Sequence, residues 1–168
     1  MTDVPQTLVV TGVAGAGKST VGRALADRVG ARYLDADDFH SEDGRRKMAS
    51  GVPLDDADRD PWIERLADEL ARCAAAHQRV VLACSALRRQ HRARLLGAAP
   101  DVRVVHLEVG ADELARRLAA RSDHFMPVEL LASQLDALEH PADEQHAVVD
   151  GEAPVEVVVD EILRAAGA

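Results

Sequence analysis

The clearest chemical signal in the sequence is a glycine-rich segment, Gly12-Val13-Ala14-Gly15-Ala16-Gly17-Lys18-Ser19-Thr20. It matches G-x-x-x-x-G-K-[ST], the pattern of a phosphate-binding loop. In such a loop backbone N–H groups surround an anion, the lysine reaches the β- and γ-phosphates, and the serine hydroxyl ligates Mg²⁺. The segment therefore predicts binding of ATP and Mg²⁺, with Lys18 as a catalytic cation and Ser19 as a metal ligand.

Acidic residues follow the second predicted strand. Asp35 and Asp37 come directly after Ala31–Leu34, and the carboxyl ends of strands in an open α/β sheet border the ligand crevice. Being two apart, they are expected to point to the same side of an extended segment. Asp35 could hold Mg²⁺ through water, and Asp37 could accept a proton from a substrate hydroxyl. Asp38 is expected to serve only as a helix cap.

Basic residues gather after the third predicted strand, where Arg88, Arg89, Arg92 and Arg94 begin a helix. In a chain of net charge -9, such a cluster is where an anionic substrate would bind, because arginine forks match carboxylates and phosphates. For Arg89 and Arg94, which lie on the helix proper, a solvated basic face is an equal alternative.

More arginines border a break between two predicted helices, the first over Ala111–Ala120 and the second ending near Leu138. Arginines beside such a break indicate a mobile lid, approximately residues 116–140, that closes over phosphates. Arg117 and Arg121 are the expected catalytic cations of this lid.

Predicted strands and helices alternate along the chain around these residues. Helical segments separate five apolar runs: Thr7–Thr11, Ala31–Leu34, Arg79–Ala83, Val102–Val109 and Ala147–Asp150. This alternation predicts an α/β fold with a mostly parallel sheet and helices on both faces. One domain over residues 1–168 suits the length.

Asp60-Pro61 is expected to form the N-cap and first residue of a long helix that runs through Ala76. Capping by Asp60 does not explain why Asp56, Asp58 and Arg59 occur together just before it.

The composition is that of a soluble globular chain, with 47% hydrophobic and 29% charged residues. No apolar run approaches the roughly 20 residues that span a membrane, and the first residues do not resemble a signal peptide. We therefore expect a cytoplasmic protein with no membrane partner. The negative charge argues against nucleic-acid binding, and the two cysteines lack the spacing of a zinc site.

Several further segments form a specific set. They are His40, Lys47-Met48, Gly51-x-Pro53-Leu54, Asp56-x-Asp58-Arg59, Pro61-Trp62, Cys84-Ser85-Ala86-Leu87-Arg88, Arg92, His124-Phe125-Met126 and Ser133-Gln134-x-x-x-Leu138-Glu139. Together with the phosphate loop, they resemble the corresponding segments of P-loop gluconokinases of the thermoresistant type. The resemblance extends from the loop to about Glu144.

The resemblance implies a P-loop NTPase fold like that of shikimate and adenylate kinases, with sheet order 2-3-1-4-5 and a helical lid. It implies transfer of the ATP γ-phosphate to the 6-hydroxyl of D-gluconate, with Mg²⁺ and usually in a homodimer. One departure is Asp123, because the family usually has glycine before the His-Phe pair.

The substrate-binding residues expected on this basis divide by the group they meet. Arg88 or Arg92 would bind the gluconate carboxylate, and Asp37, His40 and Arg59 would meet its hydroxyl groups. Lys47 and His124 complete the expected substrate-binding set.

Proteins of other functions also carry a phosphate-binding loop. The segments Pro53–Trp62 and Cys84–Arg88 argue against a shikimate kinase, and no base-reading motif indicates a nucleoside or nucleotide kinase. A regulatory GTPase would need an Asn-Lys-x-Asp motif, and the chain contains no asparagine. A non-catalytic ATP-binding module is the remaining class, against which Asp37, Arg88 and the lid arginines argue.

Overall fold

The computed structural model describes residues 4–121, 129–141 and 146–167. Its strands are β1 (Thr7–Thr11), β2 (Arg32–Asp35), β3 (Val80–Ala83), β4 (Val102–Glu108) and β5 (Ala147–Asp150). Its α-helices are α1 (Lys18–Val29), α2 (Glu42–Ala49), α3 (Asp56–Ala75), α4 (Arg89–Leu96), α5 (Ala111–Ala120), α6 (Glu129–Ala137) and α7 (Val155–Ala165). A short 3₁₀ helix, Ala36–Phe39, follows β2.

The five strands form one parallel sheet in the order β2-β3-β1-β4-β5, which confirms the predicted order. The central strand β1 is buried along its whole length, and Val9 pairs with Leu82 on one side and Val104 on the other. Because every strand runs the same way, all five carboxyl ends meet at one edge, where the predicted acids and arginines follow β2 and β3.

Helices cover both faces of the sheet, as predicted. One buried cluster joins the sheet to α1, α5 and α7 through side chains such as Leu25, Leu114 and Ile162. The other joins the opposite face to α3 and α4 through Leu66, Leu70 and Leu95. None of the described helices is long and apolar enough to cross a lipid bilayer.

The prediction that α3 begins at Asp60-Pro61 is wrong. Asp55 is the N-cap: its side chain accepts a hydrogen bond from the Asp58 N–H at 2.9 Å, and the Asp58 carboxylate accepts one from the Asp55 N–H at 3.1 Å. This capping box satisfies two N–H groups that the helix end would leave unpaired. Pro61 lies inside the helix, where it removes one backbone hydrogen bond.

Candidate active site

The phosphate loop connects β1 to α1 at the carboxyl edge of the central strand. Gly15 and Gly17 adopt left-handed backbone conformations, with φ of +86° and +94°, which a residue with a side chain would strain. Such conformations curl the backbone so that N–H groups face one concavity. Because α1 begins at Lys18, the positive end of its dipole is directed at the same place. The arrangement suits a phosphate group.

Lys18 lies at the mouth of the loop and is half-buried. Its ammonium donates a hydrogen bond to the carbonyl oxygen of Val13 at 3.0 Å. Removal from water lowers the pKa of Lys18, and the nearby carboxylates of Asp37 and Asp35 oppose that shift. A cation held against the loop between acidic neighbours is placed to meet a bound phosphate.

Asp35 and Asp37 both line the cleft in front of this lysine, but not for the expected reason. Asp37 lies in the 3₁₀ helix instead of an extended segment. The Asp35 carboxylate caps that helix by accepting a hydrogen bond from the Asp37 N–H at 3.0 Å, so the cap is Asp35 and not Asp38. The tight turn, and not strand alternation, brings the two side chains to one side.

The Asp37 side chain is 59% exposed, but the partial loss of water in the cleft still raises the pKa of its carboxyl; the Asp35 carboxylate raises it further, and Lys18 opposes the rise. A raised pKa makes a carboxylate a better proton acceptor near neutral pH.

Oxygen donors suited to Mg²⁺ lie beside the loop. The Ser19 hydroxyl is 3.4 Å from one Asp35 oxygen, to which the Tyr33 hydroxyl also donates a hydrogen bond at 3.2 Å. Magnesium prefers such oxygen ligands and usually keeps several waters. Within residues 4–121, 129–141 and 146–167, no three His, Cys, Asp or Glu side chains form a metal-binding group. The Ser19 and Asp35 oxygens suit an ion such as Mg²⁺ that takes its other ligands from water and phosphate.

The wall opposite the loop is aromatic. The His40 ring stacks on the Trp62 ring, with centroids 4.2 Å apart and 16° between planes. The Trp62 indole N–H donates to the Ala36 carbonyl at 2.7 Å, so this residue is both core and cleft wall. Burial, assisted by nearby arginines, lowers the pKa of His40 to about 4. At neutral pH His40 is therefore an uncharged polar group, 3.7 Å from an Asp37 oxygen.

An arginine recess adjoins this wall. It is lined by Leu54, Asp55, Asp56, Arg59, Arg88, Ser133, Asp136 and Ala137. Arg59 lines both the recess and the main cleft, and burial lowers its pKa, as does the charge of Arg88. Two guanidinium groups next to a phosphate cradle make a site for a second anionic group.

Two residues expected to bind substrate point elsewhere. Arg92 is fully buried, and its guanidinium donates to the carbonyl oxygens of Ala86, Leu87 and Glu139 at 2.9, 2.9 and 2.5 Å. This position corrects the expectation that Arg92 could bind a carboxylate in the cleft. The ammonium of Lys47 lies 2.8 Å from both oxygens of the Asp58 side chain, and Lys47 is not among the residues that line the cleft.

The expected lid arginines differ in position. Arg117 donates to the carbonyls of Gly15 at 3.2 Å and Gly151 at 3.0 Å. Its side chain therefore connects the phosphate loop to the residue that follows β5. Arg121 is exposed and lines the cleft. His124 and the unusual Asp123 lie outside the described residues.

Sequence reasoning did not assign several residues that line the cleft. They are Met48, Pro53, Leu54, Cys84, Ser85, Leu130, Ser133 and Gln134. Gln134 is the most informative, because its side-chain oxygen accepts a hydrogen bond from the Ala14 N–H at 2.7 Å and so connects α6 to the phosphate loop. The Ser133-Gln134 pair within the family resemblance was the signal that could have identified it.

Comparisons with known proteins agree with this geometry. The model of the AAA domain family matches residues 8–141. The gluconokinase of Gluconobacter oxydans (strain 621H) is 43% identical, over 95% of this chain and 90% of that one. The thermoresistant gluconokinase of Escherichia coli (strain K12) is 37% identical, over 90% of this chain and 87% of that one.

A solved structure of a gluconokinase from Sinorhizobium meliloti 1021 superposes with a TM-score of 0.87 at 39% identity, covering 97% of this chain and 92% of that one. The match therefore includes the sheet, the phosphate loop and the helices around the cleft. The chain belongs to the gluconokinase family of P-loop kinases.

Proposed function

We propose that the protein transfers the γ-phosphate of ATP to the 6-hydroxyl of D-gluconate, giving 6-phospho-D-gluconate and ADP. The observation that carries this proposal is that one cleft contains a phosphate cradle with its lysine, the Asp37 carboxylate and Arg59, and that Arg59 also lines an adjoining recess with Arg88. A sugar acid has an anionic group at one end and a primary hydroxyl at the other, which matches this arrangement. Family membership supports the same reaction.

The substrates would be held at the two ends of the cleft. The loop from Gly12 to Thr20 would bind the ATP phosphates, with Lys18 at the β- and γ-phosphates. Arg59 and Arg88 would bind the gluconate carboxylate. His40, which is neutral, and Asp37 would meet hydroxyl groups between the two ends. In this proposal Arg92 and Lys47 do not bind substrate. Arg92 donates to backbone carbonyls and Lys47 pairs with Asp58.

The chemical step would use Asp37 as the proton acceptor. The bond from the gluconate 6-oxygen to the γ-phosphorus forms while the bond from that phosphorus to the β–γ bridging oxygen breaks, and ADP leaves with the electron pair. The hydroxyl proton passes to the Asp37 carboxylate. Because the transition state of phosphoryl transfer is loose, positioning and charge neutralisation contribute more than the base does.

Mg²⁺ fits the Ser19 and Asp35 oxygens, and when bound it supplies charge neutralisation at the phosphate oxygens. Ser19 would ligate the ion directly and Asp35 through water. Tyr33 holds the Asp35 carboxylate in place through its hydroxyl group.

The lid would complete the site. Residues 116–140 would close over ATP, with Arg121 contributing charge from the cleft side and Arg117 keeping the loop in shape. We further propose, on the resemblance and composition alone, one kinase domain over residues 1–168 that acts as a cytoplasmic homodimer, with no nucleic-acid or membrane partner.

The proposal is tested by ADP release from Mg·ATP with a panel of acceptors: D-gluconate, shikimate, related sugar acids, AMP and no acceptor. Rapid release is expected with D-gluconate alone. Release with shikimate or AMP instead would reassign the substrate and leave the phosphate loop in place. Absence of release with every acceptor, from folded protein that binds ATP, would favour a non-catalytic binding module.

A further inference from the structure

Asp56 occupies a position that capping of α3 does not explain. The capping box uses Asp55 and Asp58, whereas Asp56 turns to the arginine recess. One Asp56 oxygen lies 3.9 Å from Nη1 of Arg59 and 3.8 Å from Nε of Arg88. A single carboxylate oxygen is therefore placed between the two guanidinium groups.

These distances are too long for hydrogen bonds, which need about 2.7–3.2 Å between nitrogen and oxygen. The Arg88 Nε is buried, and among the described residues no atom accepts a hydrogen bond from it. The Asp56 charge therefore acts on both arginines without accepting a hydrogen bond from either, which leaves the guanidinium donors that face the recess for another oxygen. Buried donors without partners are uncommon and call for an explanation.

Glu139 adds a second negative charge. One of its oxygens lies 3.8 Å from Nη1 of Arg88, while the other accepts a hydrogen bond from the Arg89 N–H at 2.6 Å. Asp55 and Asp136 also line the recess. Each of the two arginines therefore already has a carboxylate oxygen within 4 Å, at a distance too long for a hydrogen bond.

We propose that Asp56 sets the charge of the Arg59–Arg88 pair, so that the recess accepts a monoanionic carboxylate and rejects a dianionic phosphate. This inference rests on the proposed function, because it concerns the end of the acceptor remote from the reacting hydroxyl. An entering carboxylate can use the free donors at the cost of one repulsion from Asp56. A phosphate group carries nearly two charges near neutral pH and meets that repulsion twice, at short range inside a cleft.

Selection of the carboxylate over the phosphate would distinguish two acceptors that are otherwise alike. A sugar acid and a sugar phosphate can present the same row of hydroxyls and the same free primary hydroxyl to the phosphate loop, so only the head group distinguishes them. Arginine pairs by themselves bind phosphate at least as well as carboxylate. A fixed negative charge between them supplies the discrimination that the attractive contacts lack.

The test compares D-gluconate with D-glucitol 1-phosphate, which has the same carbon configuration, a phosphate head and a free 6-hydroxyl. The ratio of kcat/KM values is measured at pH 8 and constant ionic strength for the wild type, Asp56→Asn and Asp56→Glu. Asp68→Asn is the matched control, because Asp68 is an exposed carboxylate on the same helix away from the recess.

Asp56→Asn is expected to shift the ratio toward the phosphate by about tenfold or more, since a charge at this range acts on one extra unit charge. Asp56→Glu keeps the charge and is expected to stay within about twofold of the wild type, as is Asp68→Asn, whose charge is remote. An unchanged ratio in Asp56→Asn would overturn the inference, as would an equal shift in Asp68→Asn. A merely structural role for Asp56 would lower both kcat/KM values together and leave the ratio unchanged.

Failure of the proposed function has a different signature, namely no turnover of D-gluconate by the wild type. The inference is then tested by calorimetric dissociation constants for the same two compounds, which need no reaction. A tenfold shift of the affinity ratio in Asp56→Asn supports it. An unchanged affinity ratio, or binding of neither compound, contradicts it.

Discussion

The His40 imidazole lies flat against the Trp62 indole, with 4.2 Å between ring centroids, and its side chain is only 4% exposed. Trp62 in turn donates to the Ala36 carbonyl, so the stack ties α3 to the turn that carries Asp37. An imidazolium would be poorly solvated here, and the pKa of His40 falls to about 4. The pair therefore keeps a neutral, fixed wall beside the carboxylate at physiological pH.

The fold is expected to lose stability in acid because it contains two histidines of lowered pKa. The second is His106, which is buried in β4 and whose pKa burial also lowers to about 4. The unfolded chain binds protons with pKa near 6.5, so it takes up protons before the folded chain does. The free energy of unfolding is expected to fall as pH drops from about 6.5 to 4, by about 2–3 kcal/mol for each histidine at pH 4.5.

Urea unfolding at pH 7.0 and 4.5 measures this loss, with His106→Gln as the comparison because His106 does not line the cleft. The variant should lose about 2–3 kcal/mol less than the wild type between the two pH values. Equal losses in both proteins would show that His106 is not held neutral.

Lys18→Ala is expected to abolish most turnover while the fold remains. The ammonium makes one hydrogen bond to its own loop and is proposed to meet the ATP phosphates, so its loss should lower kcat by at least about 10²-fold, the scale for one preorganised electrostatic donor. Circular dichroism and thermal melting check the fold beside the kinetic assay. Normal turnover in a folded variant would remove Lys18 from the mechanism.

Asp37→Asn removes the proposed proton acceptor with little change of shape. We expect kcat to fall by roughly 10²-fold, the usual contribution of a positioned base, with a small change in KM for ATP. Asp38→Asn is the matched control, since Asp38 is also an exposed carboxylate in the same turn but does not line the cleft. A kcat near the wild-type value in Asp37→Asn would move the role to another group.

Substitution of Arg59 should weaken substrate binding, whereas substitution of Arg92 should lower stability. Arg59→Ala removes a guanidinium that lines the cleft and recess, and should raise KM for gluconate by at least about tenfold, a modest part of a charge-assisted pair. Arg92→Ala leaves three backbone carbonyls without this donor and should lower the free energy of unfolding by about 2–4 kcal/mol. Steady-state kinetics and urea unfolding of both variants would distinguish the roles. A stable Arg92→Ala with a raised KM would return Arg92 to the substrate site.

Much of the fold could be predicted because its signals are local. Each strand is an apolar run between polar segments, and alternation with helices leaves few topologies for a parallel sheet. The phosphate loop is also a local motif, whose glycines are needed where a left-handed backbone conformation allows no side chain.

Side-chain direction could not be predicted in the same way. Arg88 and Arg92 lie one helical turn apart and look equivalent in sequence, yet one faces the recess and the other is buried among carbonyls of the preceding loop. That outcome depends on where Ala86, Leu87 and Glu139 place their carbonyl groups, which is set by tertiary packing.

Competing local signals caused the remaining errors. Asp60-Pro61 is a good helix start by itself, but the reciprocal capping of Asp55 and Asp58 begins the helix earlier. Similarly, the 3₁₀ turn after β2 depends on the Asp35 side chain accepting a bond from the Asp37 N–H. The three-residue spacing of Asp55 and Asp58 is compatible with a capping box, but spacing alone does not decide between that start and Asp60-Pro61.

The central claim is phosphoryl transfer to one particular hydroxyl, and the most direct measurement is the position of the phosphate in the product. Uniformly ¹³C-labelled D-gluconate is incubated with Mg·ATP and the protein, and carbon–phosphorus couplings are read by NMR. We expect a phosphorus coupling at C6 and its neighbour C5, with C1 uncoupled. Coupling at any other carbon, or unreacted gluconate alongside intact ATP, would contradict it.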